Sequence, residues 1–288
     1  IDAAVLGDAL ELARERLAEL TPEQQAEPAV RLRAATLLFR GGELDAAASA
    51  FAALLQDVSA SDDPLLHGTV LSALGNLALR QGDAAEAERR GEQAIAVLST
   101  LAPSPELGRA YTGRAIARST QDRYGAALED FAQARVVLDG VGDQLGSARV
   151  DINVGILDAR RDRFAEAEPV LAAAADRLAA FNDLTNELFA RVTLARVRLG
   201  LLDAAGALAG DARLAALVAR EPNAERRRYA NLARVEVLAA NGHLREAADL
   251  LAGVRADASA EGDIVLLGVA QSLAAQWTLD EDPGSAAR

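Results

Sequence analysis

The chain is 288 residues long, 51% hydrophobic and 3% aromatic, with a formal net charge of −13 and no Cys or Met. Absence of Cys excludes disulfides, a thiolate nucleophile and thiolate metal ligation. The acidic balance disfavours nucleic acid and anionic membrane as partners of this segment, because both need a positive field, and no apolar run reaches the roughly eighteen residues of a bilayer span.

Ala and Leu, which lead the helix-propensity scale, dominate the hydrophobic share, so the composition predicts an all-α protein packed through small residues. Residues 3–20 carry the first helical pattern. It runs straight into the next unit and reads as the second helix of a partial repeat at 1–20. The chain opens at Ile1 without Met, so this half-repeat predicts more protein upstream. Helix-turn-helix patterns follow at about 24–60, 64–102, 105–140, 143–180, 183–220 and 223–258. A last helix at 263–278 has no second helix behind it and reads as a cap over the final apolar face, with a tail at 283–288. No linker interrupts these patterns, and 1–282 is expected to be a single array. Asp63-Pro64, Ser104-Pro105, Asp143, Asn182 and Asn223 are the expected helix starts, with polar caps and Pro where first-turn N–H groups lack partners anyway.

The units share a forty-residue ruler. Steps of forty from Gly82 land on Asp2, Gly42, Asp122, Asp162, Leu202, Gly242 and Asp282, each a turn mark. Five residues past the mark stand Gly7, Ala47, Ala87, Ala127, Ala167, Ala207 and Ala247. Seven before it stand Ala35, Gly75, Ala115, Gly155, Ala195, Val235 and Ala275. Antiparallel helices that cross closely leave room only for small side chains at the contact. Phe51, Phe131, Leu171 and Leu251, nine past the mark, fill the neighbouring gaps.

These positions carry a family resemblance. Leu74-Gly75, Gly82-Asp83, Ala87 and Ala94 in one unit resemble the tetratricopeptide repeat, as do Tyr111, Ala115, Tyr124, Ala127, Phe131 and Ala134 in the next and Gly155, Phe164, Ala167 and Ala174 in the third. The unit at 188–227 is degenerate, with Leu202 at its turn and Asp211 where an aromatic is usual. The period exceeds the common one of about 34 residues, and the long form is similar to arrays attached to bacterial regulators and kinases. The resemblance implies a right-handed α-α superhelix of about six repeats plus a capping helix, with a concave groove lined by the first helices.

No catalytic constellation, metal site or cofactor motif is legible. His67 and His243 are about four repeats apart and read as exposed polar residues. The GVG at 140–142 is an inter-repeat turn without the Lys-Ser/Thr of a phosphate loop. Arg226-Arg227-Arg228 reads as a solvated helix start, and Trp277 as part of the terminal cap. Function is therefore expected in the groove and non-enzymatic. Register in the repeat assigns to it Arg40, Asn76, Arg80, Arg109, Thr112, Arg149, Ile152, Arg160 and Arg196. Asn153 matches a second position of the family's chaperone-binding clamp. Ser72 replaces that clamp's basic residue, and Asn153 falls one repeat too far along, so a chaperone C-terminus is not the expected ligand. Arg presents a planar fork suited to carboxylates, which points to an acidic or carboxylate-bearing protein or peptide. The competing reading pairs these Arg with Asp and Glu of adjacent repeats. Two functions follow. One is the sensory or interaction segment of a larger bacterial signalling regulator, a winged-helix transcription factor or a Ser/Thr kinase, soluble in the cytoplasm or periplasm. The other is a self-standing scaffold that organises a complex or forms a homodimer.

Overall fold

The computed structural model describes residues 3–281, and all regular structure among them is helical. Asp2, Asp282 and the 283–288 tail lie outside the described residues, as do the side chains of Ala275 and Trp277. The chain forms two compact units, one from Ala4 to Leu157 and one from Asp158 onward. The N-terminal unit contains α1 (Ala3–Ala18), α2 (Pro22–Ala26), α3 (Pro28–Gly41), α4 (Leu44–Asp57), α5 (Pro64–Arg80), α6 (Ala84–Leu98), α7 (Pro105–Thr120), α8 (Tyr124–Gly140) and most of α9 (Gln144–Ala159). The C-terminal unit contains α10 (Phe164–Ala180), α11 (Leu184–Gly200), α12 (Ala204–Ala209), α13 (Asp211–Val218), α14 (Ala224–Ala240), α15 (Leu244–Glu261) and α16 (Ile264–Glu281).

The turn marks are the corners. Gly42, Gly82, Asp122, Asp162, Leu202 and Gly242 all adopt positive φ, between 55° and 85°. The residue after each corner donates its N–H to the carbonyl five back: Glu43 to Leu38, Asp83 to Ala78, Arg123 to Arg118, Arg163 to Asp158, Asp203 to Arg198 and His243 to Leu238, at 2.8–3.0 Å. That bond satisfies a carbonyl the helix end would otherwise strand. Gly142, Asn182 and Gly262 make the same left-handed turn between repeats. Asn182 is thus a corner rather than a cap, and the side chain that caps α11 is its neighbour Asp183, which accepts from the Asn186 N–H. Asp63, Ser104, Asp143 and Asn223 cap their helices as their sequence context predicts.

Small residues form the helix crossings. Ala35, Ala47, Ala115, Ala127, Ala167, Val235 and Ala247 have no exposed surface at all. Beside them, the residue nine past one corner packs with the residue eight before the next: Phe51 with Leu74, Phe131 with Val154 and Leu171 with Leu194 each share a cluster. Near the open end of two of the pairs a further small residue faces a leucine. A Cβ at Gly68 would stand 2.5 Å from Leu98 Cγ, and one at Gly108 would stand 2.5 Å from Leu138 Cγ.

Two stretches depart from the regular pattern. The capping box of Thr21 with Gln24 starts a short α2, and Pro28 then begins α3, so the first full repeat opens with two helices instead of one. In the degenerate repeat the second helix breaks at Gly210 into α12 and α13.

Candidate functional site

Positions thirteen, nine, six and two before a corner are spaced i, i+4, i+7 and i+11, and so lie along one side of each first helix. In the N-terminal unit they are Ala29, Arg33, Thr36 and Arg40 on α3 and Thr69, Ala73, Asn76 and Arg80 on α5. On α7 they are Arg109, Gly113, Ile116 and Thr120, and on α9 Arg149, Asn153 and Ile156. None of these residues is buried, none is acidic, and every charged one is Arg. The stripe is cationic within a chain of net charge −13.

Its residues differ in availability. The Arg80 guanidinium lies over the Phe39 ring, 5.3 Å from the centroid, a cation–π contact. Among the described residues no carboxylate stands within ion-pair distance of Arg33, Arg40 or Arg80. Asn76 lies against the bare backbone of Gly113, where a Cβ would stand 3.3 Å from its Oδ1. Arg109 pairs with Glu106 at 2.9 Å, an exposed contact worth at most about 1 kcal/mol. Three predicted residues turn to their own surroundings. The Thr112 hydroxyl donates to the Gly108 carbonyl at 2.8 Å, the Asn153 amide donates to the Arg149 carbonyl at 2.9 Å, and Ile152 is buried in the core.

Arg160 and Arg196 fall in the C-terminal unit. Arg160 is exposed. Arg196 donates twice to Glu236, at 3.0 and 3.2 Å, and stacks on Tyr229 at 4.6 Å. Burial alone would lower its pKa, but the Glu236 carboxylate outweighs burial and holds it above the ordinary value. The corresponding stripe here reads Phe189, Thr193, Arg196 and Gly200 on α11, then Tyr229, Ala233, Glu236 and Ala240 on α14. Its one cation is already neutralised.

Other Arg side chains serve the fold. Asp130 accepts from Arg114 and Arg118, and Glu88 from Arg118 and Arg123. Glu187, fully buried, accepts from Arg191 and Arg213. The basic run on α14 is not a solvated helix start. Arg226 pairs with Glu221, Arg227 donates to the carbonyls of Glu221 and Pro222, and buried Arg228 lies 2.7 Å from Glu261. His67 is not exposed either: its Nδ1 stands 2.7 Å from the Val58 carbonyl, joining α5 to the end of α4. Among the described residues no group of three or more His, Asp or Glu could hold a metal ion.

Sequence reasoning placed Arg40, Asn76, Arg80, Arg109, Arg149 and Asn153 on the stripe and missed Arg33. The signal for Arg33 was present, since it stands seven residues before Arg40 on the same helix face.

No protein-family model and no curated protein matches the chain. Solved structures do. A STAND signal-transduction ATPase with a tetratricopeptide-repeat sensor from Pyrococcus horikoshii superposes with a TM-score of 0.73 at 15% identity, over 96% of this chain and 43% of that one. A Rap protein complexed with Competence and Sporulation Factor gives 0.66 at 14% identity, over 91% and 77%. A kinesin light chain from Podosopora anserina with nearly identical TPR-like repeats gives 0.56 at 18% identity, over 69% and 98%. The fold is the tetratricopeptide-repeat fold.

In tetratricopeptide terms, the five constant-register Ala residues from Ala47 to Ala207 and the left-handed corners are scaffold, and the stripe is where the repeats differ from one another. The degenerate repeat keeps its corner at Leu202 and its buried Ala207, so it belongs to the same scaffold despite its broken second helix.

Proposed function

We propose that the chain is a non-enzymatic protein- or peptide-binding module, the sensory or interaction segment of a larger bacterial signalling regulator such as a winged-helix transcription factor or a Ser/Thr kinase. The observation that carries this reading is the cationic stripe of the N-terminal unit, exposed and free of acidic residues in an acidic chain. Desolvating like charges beside one another is costly, and an anionic partner relieves that cost. The relatives in structure support the wider setting: one is a signal-transduction ATPase with a tetratricopeptide-repeat sensor and another is complexed with Competence and Sporulation Factor. Cross-linking with mass spectrometry, using the chain as bait in an extract of its own cells, tests the reading. Cross-links to a partner should gather on α3, α5 and α7 and weaken in the double variant Arg40→Glu, Arg80→Glu. Cross-links confined to the second helices α4, α6 and α8, or unaffected by the double variant, would sink it.

A further inference from the structure

Resting on that reading, we infer that the stripe of the N-terminal unit takes an extended acidic segment in the polyproline II conformation, with carboxylates at every third residue. Arg40 and Arg80 hold the same register position on α3 and α5, two residues before their corners, and these helices are in contact. Packed helices lie about 8–10 Å apart. Polyproline II has three residues per turn and a rise of about 3.1 Å, so side chains at i and i+3 project on the same side roughly 9 Å apart. One turn of ligand therefore matches one step between first helices. A β-strand does not fit this way, because its side chains alternate with period two and positions i and i+3 face opposite sides. Nor do the helices of this unit offer a sheet edge for a strand to pair with, whereas a polyproline II backbone needs none.

The cations are prepared for this ligand. The Arg80 guanidinium already rests over the Phe39 ring, so it loses less freedom on meeting a carboxylate. Arg33 and Arg40 stand two turns apart on α3 and widen the target on that helix. Asn76 lies between neighbouring stripes, its amide against Gly113 and free to meet a ligand backbone carbonyl. Arg109 and Arg149 repeat the one-step register on α7 and α9.

The test uses the full chain and three fluorescent peptides of equal length and composition, five Glu, five Pro and five Ala each. One has Glu at every third residue, one has the five Glu in a block, and one alternates Glu with Ala before a Pro run. A fourth peptide replaces every Glu of the first with Gln. The third-residue peptide should bind at least about tenfold more tightly than the block and alternating peptides, and the Gln peptide should not bind. Arg40→Gln and Arg80→Gln should each remove most of that preference, and Arg80→Lys should weaken binding because the ammonium lacks the planar fork. Arg245→Gln, the same charge change at an exposed site on α15, should leave binding unchanged. Equal affinity for all three acidic peptides would overturn the spacing while leaving an acidic-partner module intact. Loss of binding in Arg245→Gln equal to that in Arg80→Gln would reduce the effect to net charge and overturn the site. No binding of any acidic peptide, with partner cross-links still on α3 and α5, would overturn the acidic ligand but not the interaction module.

Discussion

Arg234 on α14 grips Asp211 on α13 through two hydrogen bonds, at 2.7 and 3.0 Å. This pair occupies the place held in other repeats by Phe51 with Leu74, Phe131 with Val154 and Leu171 with Leu194. Asp211, the residue that makes the repeat look degenerate, is therefore matched by a compensating change one helix further on. Both side chains are largely buried, so Arg234→Leu should strand a carboxylate and cost roughly 3 kcal/mol, read as a lower denaturant midpoint. Adding Asp211→Leu should recover most of that loss, because an apolar pair is what three of the other junctions hold. A double variant no more stable than the single one would contradict the exchange.

Gly108 has no room for a methyl group. Its Cβ would stand 2.5 and 2.6 Å from the Cγ and Cδ2 of Leu138, which is itself buried. Gly108→Ala should destabilise by about 1–3 kcal/mol in chemical denaturation, as overpacking of a close crossing does. Gly125, with nothing near its Cβ position, is the control, and Gly125→Ala on α8 should be neutral or slightly stabilising.

The corners and crossings were the legible part of the chain. A small residue recurring at a fixed offset is a backbone requirement, and Ala47, Ala87 and Ala127 announce it in composition alone. Partner choice among charged side chains was not legible. Arg226, Arg227 and Arg228 look like one basic run, yet each reaches a different group, and Glu261 approaches Arg228 from the far end of α15. The stripe lay between these limits: its period could be read, but which of its Arg keep a free edge depends on residues such as Glu106, Glu236 and Phe39 that only the fold brings near.

Leu202 stands 92% exposed with φ at 61°, in the place where Gly42, Gly82 and Gly242 make the same corner. A β-carbon in the left-handed region costs about 1–2 kcal/mol, and no side-chain burial offsets it here. Leu202→Gly should raise the melting temperature, by a net stabilisation of about 1 kcal/mol after the extra freedom of glycine in the unfolded chain. A fall in melting temperature would mean that Leu202 makes a stabilising contact its exposure does not suggest.

Burial alone would raise the pKa of Glu187, but its bonds to Arg213 and Arg191 outweigh burial and hold the carboxyl below its ordinary value of 4.5. Glu88 is lowered in the same sense, burial being outweighed by Arg118, Gln121 and Arg123. Since both are depressed in the folded state, the unfolded chain takes up their protons first as pH falls. Their stabilisation is complete above the ordinary carboxylate range and is lost as pH drops through the folded-state values. The melting temperature should therefore be flat near neutrality and fall below about pH 5. Glu187→Gln should lower it at neutral pH and flatten part of that acid limb.

The two kinds of junction, apolar and arginine-bearing, bear on how such a chain can be rearranged. Phe131 accepts Val154 as its neighbour, whereas the small Gly91 is met by Arg114, whose Cβ would stand 2.9 Å from a Cβ placed there. Excision of a forty-residue block cut between repeats, from 60 to 99, keeps the period yet brings Phe51 against Arg114 in place of Leu74. The modules are keyed as well as periodic, and their sequence of succession is written into the seams.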